Sequence, residues 1–339
     1  MKKVNRMGYV IALVAAMFCF YSCSDKIIDT QQHDSRKAIS FSNIATKADF
    51  SNLKADGFGV WAFITNNATT NFPLMENTKV VYKSTRNEWE YSPLRYWVED
   101  TDFSFVAVYP YDESNSIYTV DSTNGSVKLT LTETPSEQDY LVATEVTNPS
   151  NEGFSETIDL QFKHLLSSVG LKIWRDGGKH QNDQMRIKEV TLSNIRKSGS
   201  YSSKTDAWTF TGDKLSTKKT YTSFSDGDNI GAANVAEDGR LTTGGIPAQP
   251  FNDMMLIPQT LDASNMVSLK ILYEIKRNNA VNWESAELEA VLPSVTWEPS
   301  TRYTYNIVLS SVTDITIYYI QTKVDPWGTP QVGGTVIIK

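Results

Sequence analysis

Between residues 103 and 109 the chain reads Phe-Ser-Phe-Val-Ala-Val-Tyr, and Phe103, Phe105, Ala107 and Tyr109 share one face of an extended strand. The same period returns between 269 and 276, where Leu269, Ile271, Tyr273 and Ile275 alternate with mostly polar neighbours. A period of two with one wetter face marks strands of antiparallel sheets. Short runs rich in Thr, Val, Ile, Tyr, Phe and Trp, broken by Asn, Asp, Gly, Ser and Pro, predict further strands. In the first half these are 38–44, 58–64, 80–83, 89–91, 103–109, 126–131 and 140–143. In the second half they are 157–162, 167–174, 187–192, 207–210, 255–257, 267–276, 287–292, 301–310, 316–323 and 335–338. No segment longer than about ten residues carries a clean helical period.

Many short strands at this spacing predict sandwiches or barrels, and about 300 residues suit two sandwiches. The densest turn cluster near the middle is 147–156, with Asn148, Pro149, Ser150, Asn151, Glu152 and Gly153. The expected domains are therefore 38–156 and 157–339. Two polar stretches, 197–204 and 223–245, are expected as surface loops of the second.

The first residues follow a different pattern. Lys2, Lys3 and Arg6 precede an uncharged apolar run from Gly8 to Tyr21, then Ser22 and Cys23. That layout is a secretory signal, too short for a spanning helix. Phe20-Tyr21-Ser22-Cys23 resembles the lipobox of a bacterial lipoprotein. On this reading residues 1–22 are removed and the Cys23 sulfur carries lipid, which anchors the chain by its buried methylenes. Residues 23–37 are polar and aperiodic and are expected as a flexible tether. No cysteine follows Cys23, so the mature chain would hold no free thiol to mispair in an oxidising compartment.

Charge narrows the partners. The chain has 32 basic and 39 acidic residues, and the signal removes three of the basic ones, leaving 29 − 39 = −10. An acidic chain is a poor ligand for nucleic acid or anionic lipid.

Catalytic and metal motifs are mostly missing. The three histidines, His33, His164 and His180, share no metal-ligand spacing, so no metal or cofactor is expected. His164, beside Phe162 and Leu165, is expected to be a hydrogen-bonded structural residue. Gly57, Gly59 and Ala62 match the spacing of a dinucleotide turn, but the segment is itself a strand, where such glycines mean a bulge or close backbone approach. Neighbouring carboxylates at Glu99, Asp100, Asp102, Asp112 and Glu113 offer acid–base pairs on paper only, since spacing cannot set them across a substrate. Eight tryptophans supply either core packing or platforms for sugars.

Several phrases occur in a recognisable order. Ile39-Ser40-Phe41 precedes Thr46-Lys47-Ala48, then Phe58-Gly59-Val60-Trp61-Ala62, Tyr96-Trp97 and the strand ending Tyr109-Pro110. Asp139-Tyr140-Leu141-Val142-Ala143 and Phe162-Lys163-His164-Leu165-Leu166-Ser167 follow. Leu256-Ile257-Pro258-Gln259, Trp297-Glu298-Pro299, Tyr303-Thr304-Tyr305 and Val324-Asp325-Pro326-Trp327 complete the series. With the lipoprotein signal, this order resembles the fimbrillin-like family, the type V pilin lipoproteins of Bacteroidales. The resemblance implies an all-β chain of two transthyretin-like antiparallel β-sandwich domains in tandem, and no enzyme activity. It implies a fimbrial subunit, stalk or tip, on the outer membrane surface, with other pilin subunits as partners and a role in adhesion or biofilm. It also implies that a protease cuts after a basic residue behind the first strand and that a neighbour's strand replaces it.

On this chain the leaving strand would be 38–44, with Ala38, Ile39, Phe41 and Ile44, and the cut would follow Lys47. Residues 48–52 are polar enough for an exposed loop, where proteases act. Lys47 stands where such proteins more often carry arginine, and Arg36 is the alternative basic site. The candidate donor strand is Thr335, Val336, Ile337 and Ile338, with Gly333 and Gly334 as a hinge. A sandwich lacking one strand exposes unpaired backbone groups and an apolar trench, and strand addition satisfies both. Two other classes stay open: a monomeric glycan-binding surface lipoprotein whose tryptophans stack on sugars, and an envelope hydrolase.

Overall fold

The structure is a computed structural model that describes residues 37–46, 50–66, 70–121, 125–132, 138–151, 154–178, 182–211, 214–220, 232–235, 241–244, 248–309, 315–323 and 331–338. The expected signal, Cys23, the tether residues before Lys37, and Lys47 lie outside them.

The first half contains β1 (Ser40–Thr46), α1 (Phe50–Asp56), β2 (Phe58–Asn66), β3 (Thr70–Lys83), β4 (Glu88–Glu90), β5 (Asp102–Tyr109), β6 (Tyr118–Asp121), β7 (Ser126–Leu131), β8 (Leu141–Thr147) and β9 (Thr157–His164). Seven of these strands form one sheet in the order β1-β9-β8-β5-β2-β3-β4. Alternation in β5 sends Phe103, Phe105, Ala107 and Tyr109 into one core with Phe58, Val60 and Ala62 of β2. Val106 and Val108 point the other way and are buried too, with Trp61 and Phe63. The near-continuous apolar runs of β2 and β5 follow from this burial on both faces, where one wet face was expected. Gly57 needs its glycine: its φ is +78°, and a Cβ would sit 2.4 Å from the Val80 carbonyl oxygen.

The helix α1 is a difference from expectation. Residues 48–52 were expected as a loop, but α1 begins at Phe50. Leu53 is 1% exposed and joins the first core, so one buried side chain fixes this short helix.

The second half contains β10 (Ser167–Asp176), β11 (Gln184–Arg196), β12 (Gly199–Ser202), β13 (Ala207–Phe210), β14 (Lys214–Thr220), β15 (Ala232–Val235), β16 (Leu241–Gly244), β17 (Ala248–Leu256), β18 (Gln259–Leu261), β19 (Ser268–Lys276), β20 (Glu284–Val291), β21 (Val295–Trp297), β22 (Thr301–Leu309), β23 (Ile315–Lys323) and β24 (Gln331–Ile338). One sheet runs β16-β15-β10-β22-β23-β24, with β17 also paired to β10, and a second runs β14-β11-β19-β20. Leu171 and Ile173 of β10, Tyr303 and Tyr305 of β22, Ile187 of β11 and Ile271 of β19 share one core, so the sheets face each other as a sandwich. Not every pair is antiparallel: β1 with β9, β10 with β22 and β10 with β15 run parallel.

A fourth sheet joins strands of both halves in the order β13-β12-β7-β6. It contradicts the loop expected at 197–204. Gly199, Ser200 and Tyr201 are buried, and Tyr201 pairs with Leu129 of β7. The serines disguise the strand in the sequence, yet Ser200 meets Thr130 hydroxyl to hydroxyl at 3.2 Å. The expected loop 223–245 likewise holds β15 and β16. Residues Ala38–Lys339 form one compact unit. Pairing assigns β9 to the first sheet, with β1 and β8, although 157 was expected to open the second domain. The change of sheet falls at Leu165 and Leu166, whose carbonyls accept from Trp208 Nε1 at 2.9 Å and Ser300 N at 3.1 Å.

Candidate assembly site around the first strand

β1 occupies an edge of the first sheet, and its side chains sort by alternation. Ile39 and Phe41 are 2% and 4% exposed, while Ser40 faces solvent and Ser42 is half-buried. The Phe41 ring meets Phe58, Tyr91 and Phe105 edge-on, at centroid distances of 6.2, 5.6 and 6.3 Å. Ser40 and Ser42 donate to Thr157 Oγ1 at 3.1 Å and to Asp159 Oδ1 at 3.0 Å on β9. The parallel register with β9 shifts between Ser42 and Ala45, so the strand bulges at Asn43 and Ile44.

Residues 91–97 close the other side. Ala38 bridges Tyr96, and Ile39 N donates to Arg95 O at 2.9 Å. Tyr91 donates its hydroxyl to Ile39 O at 2.9 Å. Burial raises the Tyr91 phenol above its ordinary pKa, against the opposing pull of Arg95, so it stays protonated and donating. Trp97 Nε1 reaches Glu156 O at 3.1 Å, which ties this segment to the start of β9. β1 and the two residues before it therefore sit in a slot, with β9 along one flank, residues 91–97 along the other, and Ile39 and Phe41 in the core. Sequence reading found Ile39 and Phe41 but not the clamp of Tyr91 and Arg95, because neither carries a signal of contact with residues fifty positions away.

The other expected site residues fall as follows. Ala38 is half-buried, and Ile44 lies within the bounds of β1. Cys23, Arg36 and Lys47 are outside the described residues. The candidate donor residues Thr335, Val336, Ile337 and Ile338 are part of β24 and pair with Tyr318, Ile317, Thr316 and Ile315 of β23. The register shifts at Gly333 and Gly334, so the expected hinge is a bulge within an edge strand.

The expected acid–base pairs do other work. Asp112 caps its own loop, accepting from Ser114, Ser116 and Ile117. Asp102 accepts from Asn148 at 2.8 Å and Asp100 from Ser150 at 2.6 Å. His164 is buried, its Nδ1 paired with Asp139. Among the described residues no group of three or more His, Cys, Asp or Glu is placed to hold a metal. No helix among them is long and apolar enough to cross a membrane. Of the described tryptophans, Trp61, Trp97, Trp174 and Trp297 are buried in packing, and Trp89, Trp208 and Trp283 are half-buried. Trp327 lies outside the described residues.

The family model described as Fimbrillin-like matches residues 46–327, most of the chain. The chain belongs to the fimbrillin-like family. The fold agrees. A fimbrial protein from Bacteroides vulgatus ATCC 8482, known from a crystal structure, superposes with a TM-score of 0.61 at 18% identity, over 88% of this chain and 99% of that one. A fimbrial assembly protein from Parabacteroides distasonis ATCC 8503, also known from a crystal structure, aligns over 87% of this chain and 96% of that one at 9% identity, with a TM-score of 0.36. No curated protein matches the chain. In this fimbrillin-like chain the family match begins at Thr46, the last residue of β1. The core of the leaving-strand candidate thus lies just outside the matched span.

Proposed function

We propose that this fimbrillin-like chain is a structural subunit of a cell-surface fimbria, exported as a lipoprotein through Cys23 and assembled by strand exchange. In this reading a protease cuts after Lys47, or at Arg36 as the alternative, and β1 leaves with the lipid anchor. A neighbouring subunit's strand, with Thr335, Val336, Ile337 and Ile338 as candidate donor, then fills the slot. The same reading treats the chain as two sandwich domains, with β9 belonging to the first. Its partners are other subunits, the outer membrane before processing, and surfaces met in adhesion.

One observation carries the proposal: β1 is an edge strand, and its Phe41 together with Ile39, the residue just before it, completes a core. It precedes the basic residue Lys47 in a chain of this family. Its loss would open an apolar trench and strand the backbone groups of β9 and of residues 91–97. A donor strand restores both. A cut at Arg36 would leave β1 in place, which favours Lys47.

The test is limited digestion of purified protein with a lysine-specific protease, followed by electrophoresis without boiling. The expected product is a ladder of multimers, absent in Lys47→Ala and in a chain truncated before β24. A cleaved protein that stays monomeric at high concentration with β1 still bound overturns the proposal.

A further inference from the structure

The first half also carries a polar cavity on its surface. About 510 Å3 opens between residues 73–79 of β3 and the turn 92–95, with Tyr111 at its side. A second cavity of about 310 Å3 adjoins it and shares Pro73, Glu76 and Asn77. The larger lies within the range of about 300–1,000 Å3 typical of small-molecule sites.

Its charge is unusual for this protein. Two cations, Arg95 and Lys79, face one carboxylate, Glu76, a local balance of 2 − 1 = +1 in a chain of net charge −7. Arg95 is held in place. Its Nε donates to Leu74 O at 2.7 Å, its backbone N–H donates to the Tyr91 hydroxyl at 3.2 Å, and its carbonyl accepts from Ile39 N at 2.9 Å. This leaves the two terminal guanidinium nitrogens, which form no ion pair among the described residues. A fixed guanidinium with its outer edge free is a fork for a carboxylate. Lys79 Nζ lies 4.9 Å from the Tyr111 ring centroid, which keeps the second cation at the cavity wall. Glu76, Thr78 and Ser92 add acceptors and hydroxyls. Pro73 and Pro93 add rigid apolar surface, suited to the C–H face of a sugar ring.

We propose that this cavity binds an acidic sugar, a hexuronate unit of a glycan. Arg95 takes the carboxylate, Lys79 reinforces it, and Glu76 with Ser92 and Thr78 takes ring hydroxyls. A longer chain continues over Pro73 and Asn77 into the adjoining cavity. The larger cavity is lined without a tryptophan and is separate from the β1 slot, although Arg95 borders both; Trp61 lines only the adjoining cavity.

The test is titration calorimetry of the purified full chain with three probes: methyl glucuronide, methyl glucoside and acetate. The glucuronide is expected to bind, with the glucoside and acetate each weaker by about tenfold or more, since hydrogen bonds to charged groups are the stronger kind. Lys79→Gln and Arg95→Gln are each expected to weaken the glucuronide by about tenfold, while Lys128→Gln on the exposed face of β7 changes nothing. Among the described residues the Lys79 side chain makes a ring contact with Tyr111 and no hydrogen bond, so its variant stays informative if Arg95→Gln is destabilised. No glucuronide binding at tens of millimolar by folded protein, binding that survives Lys79→Gln undiminished, or acetate binding as tightly as the glucuronide overturns the proposal.

Discussion

The hydroxyl of Tyr91 donates to the carbonyl of Ile39 at 2.9 Å, and its own oxygen accepts the backbone N–H of Arg95 at 3.2 Å. One buried phenol thus holds the first strand and the segment that closes over it. Tyr91→Phe removes the donor and leaves the Ile39 carbonyl unpaired on this side, at a cost of about 1–3 kcal/mol. The expected result is a lower urea midpoint and faster hydrogen exchange confined to β1 and residues 91–97. Uniformly faster exchange across both halves would count against a local clamp.

Phe41 is the larger apolar anchor of β1, ringed by Phe58, Tyr91 and Phe105. Phe41→Ala is expected to cost about 3–5 kcal/mol, as for other buried aromatics cut to alanine. Ser42→Ala, which removes only a hydroxyl contact to Asp159 at the surface, is expected to stay within about 0.5 kcal/mol. Chemical denaturation of both variants measures the contrast, and equal losses would refute the assignment of Phe41 to the core.

How far the sequence could be read depended on where the contacts lie. The alternation of Phe103, Phe105, Ala107 and Tyr109 set β5 and its buried face, because period two is a local signal. The same period at Ile39 and Phe41 placed β1. The strand at Gly199 to Ser202 stayed hidden because its only large apolar side chain is Tyr201, flanked by the small polar Ser200, which is satisfied by Thr130 seventy positions earlier. Parallel pairing of β1 with β9 was equally hidden, since register between distant strands leaves no local pattern. The polar cavity failed to register for the same reason: Lys79, Arg95 and Glu76 meet only through the turn that brings residues 92–95 beside β3.

Acid should act through Asp112. Burial pushes its carboxyl upward, but hydrogen bonds from Ser114, Ile117 and Ser116 outweigh that and bring it to about 2, below the ordinary 3.8. A depressed carboxyl stabilises the fold above its ordinary pKa and loses that contribution as pH falls from about 4 toward 2. The group is mostly exposed, so the effect is modest. It matters structurally because the capped loop leads into β6, where Tyr118 packs 5.7 Å from Trp61. Urea midpoints against pH should show wild type ahead of Asp112→Asn at pH 6 and the gap closing between pH 4 and 2. A gap that is constant with pH would mean the carboxylate is not held in its charged form.

The slot itself can be probed without a second subunit. If β1 leaves after cleavage, a peptide of residues 37–46 added to the cleaved protein should bind back in parallel beside β9, with Ile39 and Phe41 in the core and Ser40 and Ser42 on the β9 hydroxyl and carboxylate. The backbone bonds are common to any peptide, so the two apolar side chains set selectivity. A Phe41→Ala peptide should bind at least about a hundredfold more weakly, because a loss of about 3 kcal/mol is about two decades in affinity. The wild-type peptide in excess should also suppress the multimer ladder, by filling the place that a neighbour's strand would take. Binding measured by fluorescence anisotropy of a labelled peptide decides the matter. A peptide that binds equally well with alanine at both apolar positions would show that the slot does not select for them, and a ladder untouched by saturating peptide would show that subunits join elsewhere.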